Sequence, residues 1–471
     1  MNPMTMRRTI LMTTLLVACW GAIPSLVIAA TSGKPADVPR RPNIIVILAD
    51  DLGYECIGAN GGQTYKTPVL DKMAQSGMRF EHCYAQPLCT PSRVQMMTGI
   101  YNVRNYTSFA HLEAHQTTFA HLMKKAGYTT CMIGKWQLGG GEGAATCEMA
   151  RHFGFDESYL TTWYAKYWNP TLVLNGKIKD YPKEDYGPDH LNELAGSFIQ
   201  RNKDKPFFLY YTFDLPHDSF LPTPDSAVST PWSFWEPGVK TGPNGRPTPV
   251  EGYKGKHINH NEYFGDMVSY MDKMVGKLMA KLDELGLRDN TIVIFTGDNG
   301  TPTGQALLNG QVVKAGKNLM TDAGTRVPLI VSWPAGIPKA GVCKDLVDFT
   351  DFLPTICEAG GAKVPAELKI DGKSFLPQLR GEPGHPRPWC YCWFTKYPTQ
   401  SAPREWARNQ RYKLYRTGEF YDIGADVLEQ HPLTNLPPEA QAARAMLQQA
   451  LDRYRDARPP EWAKNEKKTG T

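Results

Sequence analysis

The stretch Cys89-Thr90-Pro91-Ser92-Arg93 sets a thiol, a proline and a guanidinium at the head of an apolar, helix-like run, Val94-Gln95-Met96-Met97-Thr98-Gly99. A helix that opens there leaves backbone N–H groups without intrahelical acceptors beside the Cys89 side chain, and Arg93 adds a fixed positive charge. Together they make a site for an anion. A lone cysteine before a helix is more often a small buried hydrophobe than a reagent, so the thiol needs company to carry chemistry. Asp50-Asp51 and Asp298-Asn299 supply four oxygen-bearing side chains. Hard oxygen ligands without accompanying cysteines or histidines favour Ca2+ or Mg2+ over zinc. Acidic pairs in loops are usually solvated, so their significance depends on what positions them.

Both pairs close an unbroken apolar run. Asn43-Ile44-Ile45-Val46-Ile47-Leu48 leads to Asp50-Asp51, and Thr291-Ile292-Val293-Ile294-Phe295-Thr296 leads to Asp298-Asn299. The same grammar recurs in Tyr128-Thr129-Thr130-Cys131-Met132-Ile133 before Gly134-Lys135, in Pro206-Phe207-Phe208-Leu209-Tyr210-Tyr211 before His217, and more briefly in Leu329-Ile330-Val331. Continuous rather than alternating hydrophobicity marks strands buried on both faces. Helical patterns lie between them over 69–76, 118–126, 191–202 and 263–285, with Gly127 and Gly286 as stop signals. This alternation predicts an α/β fold: a large doubly wound, mixed or parallel sheet flanked by helices, with ligands beyond the carboxyl ends of the strands. From about Gly381 the grammar changes to hairpin signals over 389–394, 411–416 and 419–422, then a helix over 438–455. A smaller C-terminal α+β domain, an antiparallel sheet plus a helix, is expected there.

The pattern Cys-x-Pro-Ser-Arg-x-x-x-x-Thr-Gly at 89–99 resembles the signature of the type I, formylglycine-dependent sulfatases of the alkaline-phosphatase-like superfamily. The resemblance implies that Cys89 is oxidised to formylglycine by a formylglycine-generating enzyme. It further implies that Asp50, Asp51, Asp298, Asn299 and the modified Cys89 hold one divalent ion, calcium rather than magnesium. Gly134-Lys135-Trp136, Pro216-His217 and Gly316-Lys317 with Asp322-Ala323-Gly324-x-Arg326-Val327-Pro328 resemble further elements of that family, in its order. Arg93, Lys135, His217 and Lys317 are thereby implied as catalytic residues. Arg93 and Lys135 would steady the formylglycine hydrate, the cations would hold sulfate oxygens, and His217, or else Lys317, would protonate the leaving oxygen. One hydroxyl of the hydrate attacks sulfur, and the other later expels sulfate as the aldehyde re-forms. Three departures stand out: Gln137 where the family has histidine, Asp322-Ala323-Gly324 for Glu-Gly-Gly, and Asp218-Ser219 after His217. An amide hydrogen-bonds but takes no proton, so Gln137 is a candidate contact to the hydrate or to a substrate hydroxyl.

With 471 residues, the chain exceeds one core, and its 41% hydrophobic and 21% charged composition is that of a soluble globular protein. Net charge is +5, and the single basic cluster, Lys464, Lys467 and Lys468, is at the C-terminal end; nucleic acid is excluded as a partner. Residues 1–30 read as a signal peptide, with Arg7-Arg8, an apolar stretch and cleavage near Ala29 or Ala30. Leu16-Val17-Ala18-Cys19 reads alternatively as a lipobox with a lipid anchor on Cys19. Pro24 interrupts the run, so no transmembrane helix is expected. The organisation is thus 1–30 leader, 31–42 linker, 43–380 sulfatase catalytic domain and 381–471 C-terminal subdomain, in a periplasmic or secreted protein. Setting aside Cys19 and Cys89 leaves eight of ten cysteines, a number that permits disulfides, although Cys390 and Cys392 read as buried thiols. His82, His111, His115 and His121 read as partnerless, and Met96-Met97 as core. Trp163, Tyr164, Tyr167, Trp168, Trp232 and Trp235 offer surfaces for sugar rings, with loop packing the equal alternative, and 221–257 reads as a long loop near the site. The expected function is hydrolysis of a carbohydrate sulfate ester. The alternatives are a phosphoesterase or phosphonate hydrolase of the same superfamily, or a non-catalytic secreted glycan-binding homologue.

Overall fold

Seven consecutive residues form the central strand, β1 (Asn43–Ala49), and all seven are buried. Successive side chains leave a strand on opposite faces. Ile44, Val46 and Leu48 accordingly join one hydrophobic cluster, and Ile45, Ile47 and Ala49 the other. Each Val, Ile or Leu taken from water contributes about 1.5–3 kcal/mol, so both covers hold this strand in place. The computed structural model describes residues 41–139, 147–162, 167–227, 239–241, 247–249 and 261–464. The leader with Cys19, the linker up to residue 40, Trp163, Tyr164, Trp232, Trp235, Lys467, Lys468 and most of the loop 221–257 lie outside the described residues.

The remaining strands are β2 (Met78–Tyr84), β3 (Thr129–Gly134), β4 (Glu157–Thr161), β5 (Thr171–Leu174), β6 (Lys177–Asp180), β7 (Phe207–Thr212), β8 (Val239–Thr241), β9 (Pro247–Pro249), β10 (Thr291–Gly297), β11 (Gln305–Leu308), β12 (Gln311–Lys314), β13 (Leu329–Ser332), β14 (Gly341–Asp348), β15 (Cys390–Phe394), β16 (Arg404–Arg408), β17 (Tyr412–Tyr415) and β18 (Phe420–Asp422). The helices are α1 (Pro68–Ser76), α2 (Cys89–Thr98), α3 (Asn102–Asn105), α4 (Phe119–Lys125), α5 (Cys147–His152), α6 (Gly187–Arg201), α7 (Phe264–Glu284), α8 (Asp322–Thr325), α9 (Phe352–Gly360), α10 (Leu376–Leu379), α11 (Pro438–Arg453) and α12 (Pro460–Ala463).

The main sheet has ten strands among the described residues, in the order β14-β2-β13-β10-β1-β7-β3-β4-β5-β6. β10, β1, β7, β3 and β4 are parallel neighbours, while β13 and β5 run against the rest, so the sheet is mixed. β13 has the same apolar grammar as the parallel strands yet runs antiparallel to β10. The connection between them carries the β11–β12 hairpin and the single turn α8 rather than a crossover helix. β2 and β14 escape the sequence reading because no continuous apolar run announces them; in β2, Arg79, Glu81 and His82 stand at half-buried positions.

The small sheet is a meander, β15-β16-β17-β18, with α11 against it. Tyr391, Leu414, Phe420 and Leu447 of this part belong to the same buried cluster as Phe80 and Val347 of the main sheet. Tyr101 ties the two, its ring edge-on to Tyr391 and to Tyr454 with centroids 5.1 Å apart in each case. Cys56, Cys83, Cys89, Cys131, Cys343, Cys357, Cys390 and Cys392 are free thiols. His121 is not partnerless: it completes a capping box with Thr118 and contacts the His152 carbonyl through Nε2 at 2.7 Å. Met96 and Met97 are core.

Candidate active site

Four adjacent parallel strands, β10, β1, β7 and β3, end almost level. Ala49 lies opposite Gly297, Leu48 opposite Thr212, and Thr212 opposite Gly134. The residues just past those ends are Asp50-Asp51, Asp298-Asn299, His217 and Lys135. Gly134 makes the last step possible: its φ is 95°, and a Cβ there would lie 1.8 Å from the Thr212 carbonyl oxygen. Lys135 N and Thr212 Oγ1 then donate to Thr212 O and Lys135 O respectively, at 3.1 and 2.8 Å, fixing where the lysine leaves the strand.

Cys89 opens α2, and every residue of that helix is buried. Its approach is pinned by Ser92, whose Oγ accepts from Gln86 N at 3.0 Å and donates to Gln86 O at 3.1 Å. Gly99 ends the helix in the left-handed conformation. The Cys89 thiol donates to Gln137 Oε1 at 3.0 Å. One turn further, Arg93 donates through Nη1 to Lys135 O at 2.8 Å, while its Nη2 is 3.0 Å from Asp298 Oδ2 and 3.8 Å from Asp50 Oδ1. Lys135 Nζ is 2.5 Å from Asp50 Oδ2. On the other side, Lys317 Nζ lies 2.5 Å from Asp51 Oδ2 and 3.2 Å from His217 Nε2, which is itself 3.5 Å from Asp51 Oδ2. His217 Nδ1 faces Asp218 Oδ1 at 2.9 Å and Asp218 O at 2.6 Å. Asn299 Nδ2 donates to Asp51 Oδ1 at 2.7 Å, and Asp51 N to Asp298 Oδ1 at 3.0 Å. All ten residues singled out in the sequence therefore meet in one place.

The electrostatics follow from burial against charge. Burial alone would raise the Asp50 carboxyl, but Lys135, His217, Arg93 and Lys317 outweigh it and hold it far below the ordinary carboxylate range. Asp298 is pushed up to about 7 by burial and by the negative charge of Asp50. Lys135 and Lys317 stay protonated, since Asp50 and Asp51 outweigh the cost of burying each ammonium. Burial and Lys135 act to lower His217, yet Asp51 and Asp50 carry it above its usual value. The Cys89 thiol is raised by burial despite Lys135, so an unmodified Cys89 is no thiolate.

Two buried oxygens, Asp50 Oδ1 and Asn299 Oδ1, have no hydrogen-bond partner. Donor atoms of Asp50, Asp51 and His217, and again of Asp50, Cys89 and Asp298, lie within 4.8 Å of one another. Leaving such oxygens unpaired is costly, and a hard divalent cation among them would satisfy both. The donor set fits that ion.

The sequence reading missed Asp214. Its carboxyl is buried, accepts from Thr161 Oγ1 at 3.1 Å, and is pushed up to about 7 by burial and Asp50. A single Asp in the apolar run before His217 looks like a turn residue, and its nearness to Asp50 comes only from the pairing of β7 with β1. Tyr167 is packing, not a sugar platform: it is buried, and its hydroxyl meets Asp214 O at 2.7 Å and His217 O at 2.8 Å. Trp168 likewise donates to Pro222 O at 2.8 Å.

Residues 42–362 match the Sulfatase family model, and residues 314–457 match that of the N-sulphoglucosamine sulphohydrolase C-terminal region. The chain is 31% identical over 408 residues to the N-acetylgalactosamine-6-sulfatase of Mus musculus, covering 78% of this chain and 72% of the relative. It is 26% identical over 530 residues to the N-acetylglucosamine-6-O-sulfatase of Bacteroides thetaiotaomicron, covering 93% and 91%. A solved structure in complex with its substrate, D-glucosamine-2-N,6-O-disulfate, shares the fold with a TM-score of 0.70 at 24% identity, over 88% of this chain and 99% of that one. With the family matched over most of its length, this chain belongs to the sulfatases and is a sulfuric ester hydrolase.

Proposed function

We propose that this sulfatase hydrolyses a sulfate ester on a carbohydrate, using Cys89 as formylglycine and one divalent cation. The observation that carries the reading is the convergence of Arg93, Lys135, Lys317 and His217 on the oxygen cluster beside Cys89. Relatives named for amino-sugar 6-sulfates support the carbohydrate. A phosphoesterase and a non-catalytic homologue are not favoured by any of them.

Asp50, Asp51, Asp298 and Asn299, with the modified Cys89, would hold the cation, and calcium suits a cage built of protein oxygens better than magnesium, which keeps its waters. When bound, the ion neutralises charge on the sulfate oxygens. Formylglycine supplies, as its hydrate, the oxygen nucleophile and a second hydroxyl whose collapse to the aldehyde releases sulfate. Overall, water is consumed and the alcohol and sulfate are formed. Arg93 and Lys135, paired with Asp298 and Asp50 in the cluster that includes Cys89, would steady the hydrate. Gln137 Oε1, which accepts from Sγ, is placed to accept from a hydroxyl there instead. Lys317 binds a sulfate oxygen. His217, raised above its usual value by Asp51 and Asp50 against its burial, is placed to give a proton to the leaving oxygen. A formylglycine-generating enzyme and export, through the leader or a lipid on Cys19, complete the proposal.

The test is a mass measurement joined to an assay. The Cys89 peptide from cells with the maturation enzyme should be lighter by about 18 mass units, a change outside ordinary thiol oxidation. The same protein should release sulfate, and not phosphate, from defined sulfated monosaccharides. An unmodified, inactive Cys89 protein would remove the proposal.

A further inference from the structure

We propose that Lys396, with Phe109 and Tyr397, forms a subsite beside Cys89 for a second anionic group on the same saccharide, a sulfate or a carboxylate. This rests on the carbohydrate reading above and adds a substrate class: sugars carrying an anion besides the ester that is cleaved.

The elements come from two distant parts of the chain. Phe109 follows α3, and Lys396 and Tyr397 lie in the loop between β15 and β16. The first part is anchored at the nucleophile's neighbour, since Ala110 N donates to Thr90 Oγ1 at 3.1 Å. His111 pairs with Gly139, and Leu112 N donates to Leu138 O at 3.3 Å, so the segment lies along the stretch after β3 that carries Gln137. Buried Tyr106 links the second part: its hydroxyl donates to Lys396 O at 2.9 Å. Burial raises its phenol, and Cys89 and Tyr397 raise it further. Phe109 packs against a buried cluster that includes Leu88, which precedes Cys89, and Met320, which shares a loop with Lys317.

The head group of Lys396 is free for a ligand. Its Nζ stands 4.7 Å from the Phe109 ring centroid and 5.5 Å from that of Tyr397, and the two rings meet edge-on at 6.3 Å. The residue is exposed, and among the described residues no carboxylate lies within ion-pair distance. An ammonium seated on two aromatic faces keeps its three N–H donors for an incoming anion, and the rings give the apolar flank that a sugar's C–H edge prefers. The loop is already set. Thr395 Oγ1 donates to Ser401 O at 3.0 Å, and Gln400 N and Ser401 N both donate to Tyr397 O, at 2.9 and 3.0 Å. Little ordering is left to oppose binding.

The experiment compares Lys396→Ala, Lys396→Arg and the parent, all formylglycine-bearing, on four probes: 4-nitrophenyl sulfate, D-glucosamine 6-O-sulfate, D-glucosamine-2-N,6-O-disulfate, and a 6-O-sulfated disaccharide whose second sugar is a uronate. Lys396→Ala should raise KM about tenfold for whichever doubly anionic probe the site takes, with kcat nearly kept. It should leave the first two probes unchanged. Lys396→Arg should restore the KM, and added salt should shrink the difference. The disulfate and uronate arms decide which anion is bound. Equal losses on all probes would mean a structural lysine and overturn the subsite. So would unchanged KM on both doubly anionic probes. A parent that turns over only 4-nitrophenyl sulfate would instead bring down the carbohydrate reading, and the subsite with it.

Discussion

Cys89 is 2% exposed, and its burial favours the neutral thiol, so nothing at this position works as an ordinary cysteine nucleophile. Cys89→Ala should cut sulfate release more than about a thousandfold while circular dichroism and melting stay near the parent's, because a nucleophile is lost but little volume. Cys89→Ser should accept one sulfate and stall, a change that intact mass would reveal. Multiple turnovers by the alanine variant would remove the assignment. Gln137 is the second residue-scale question. It holds φ at 50° and accepts the hydrogen bond that the Cys89 thiol donates. If it orients the hydrate, Gln137→Ala should lower kcat on a sulfated sugar about tenfold, and Gln137→His, which adds a titrating group, should alter the pH profile of kcat. Rates and profiles equal to the parent's would make it a bystander.

At the scale of elements, the site depends on strand ends and on one loop. Asp51 and Asp298 follow β1 and β10, so Asp51→Ala or Asp298→Ala should remove the bound divalent ion and the activity together. Elemental analysis of the purified variants checks this, and full occupancy in both would move the ion elsewhere. The loop carrying Lys317 is held from behind by the small sheet. Lys413 on β17, fully buried, donates to Met320 O at 2.7 Å and to Glu429 Oε1 at 2.8 Å. Arg408 on β16 pairs with both oxygens of Asp322 at 2.5 and 2.6 Å. Gly316 and Gly324 let the loop fold back on itself; a Cβ on Gly316 would lie 2.1 Å from the Ala323 carbonyl carbon. Arg408→Met strands a buried carboxylate and should cost about 3–5 kcal/mol in urea unfolding. The pH dependence has a definite sign. Burial would raise Asp322, but Arg408, Lys413 and Arg326 hold it at about 2, below its unfolded value of about 3.9. The interaction therefore stabilises fully above about pH 4 and is lost as pH falls towards 2, and the acid limb of the stability curve should flatten in Arg408→Met. An unchanged limb would show that Asp322 is not a source of the acid sensitivity.

At the scale of the molecule, the two sheets share a buried cluster, and charge crosses between them as well. Arg387, ahead of β15, is buried against Asp351, with Nε 2.8 Å from Oδ2, and donates to Tyr101 OH at 2.8 Å. A chain cut after residue 380 would leave Asp351 without its guanidinium and Tyr101 without the Tyr391 and Tyr454 rings. Residues 43–380 alone should therefore be insoluble or bind hydrophobic dyes, whereas a soluble fragment with a cooperative melt would support 380/381 as a boundary between independent domains. The sequence by itself determined what is local. Continuous apolar runs announced β1, β3, β7 and β10, because burial on both faces shows in composition, and the polar pairs that close them announced the site. The tail's hairpin signals announced most of the small sheet. Only the tertiary structure decided direction and partnership: β13 running antiparallel, β2 and β14 joining the sheet, β16 completing the meander, and eight of the cysteines remaining free thiols. It also brought Lys135 to Asp50 across 85 residues and Lys317 to Asp51 across 266, and put Asp214 beside the cluster. Such pairs depend on sheet order and register, which set neighbours far apart in the chain and leave no periodic trace in it.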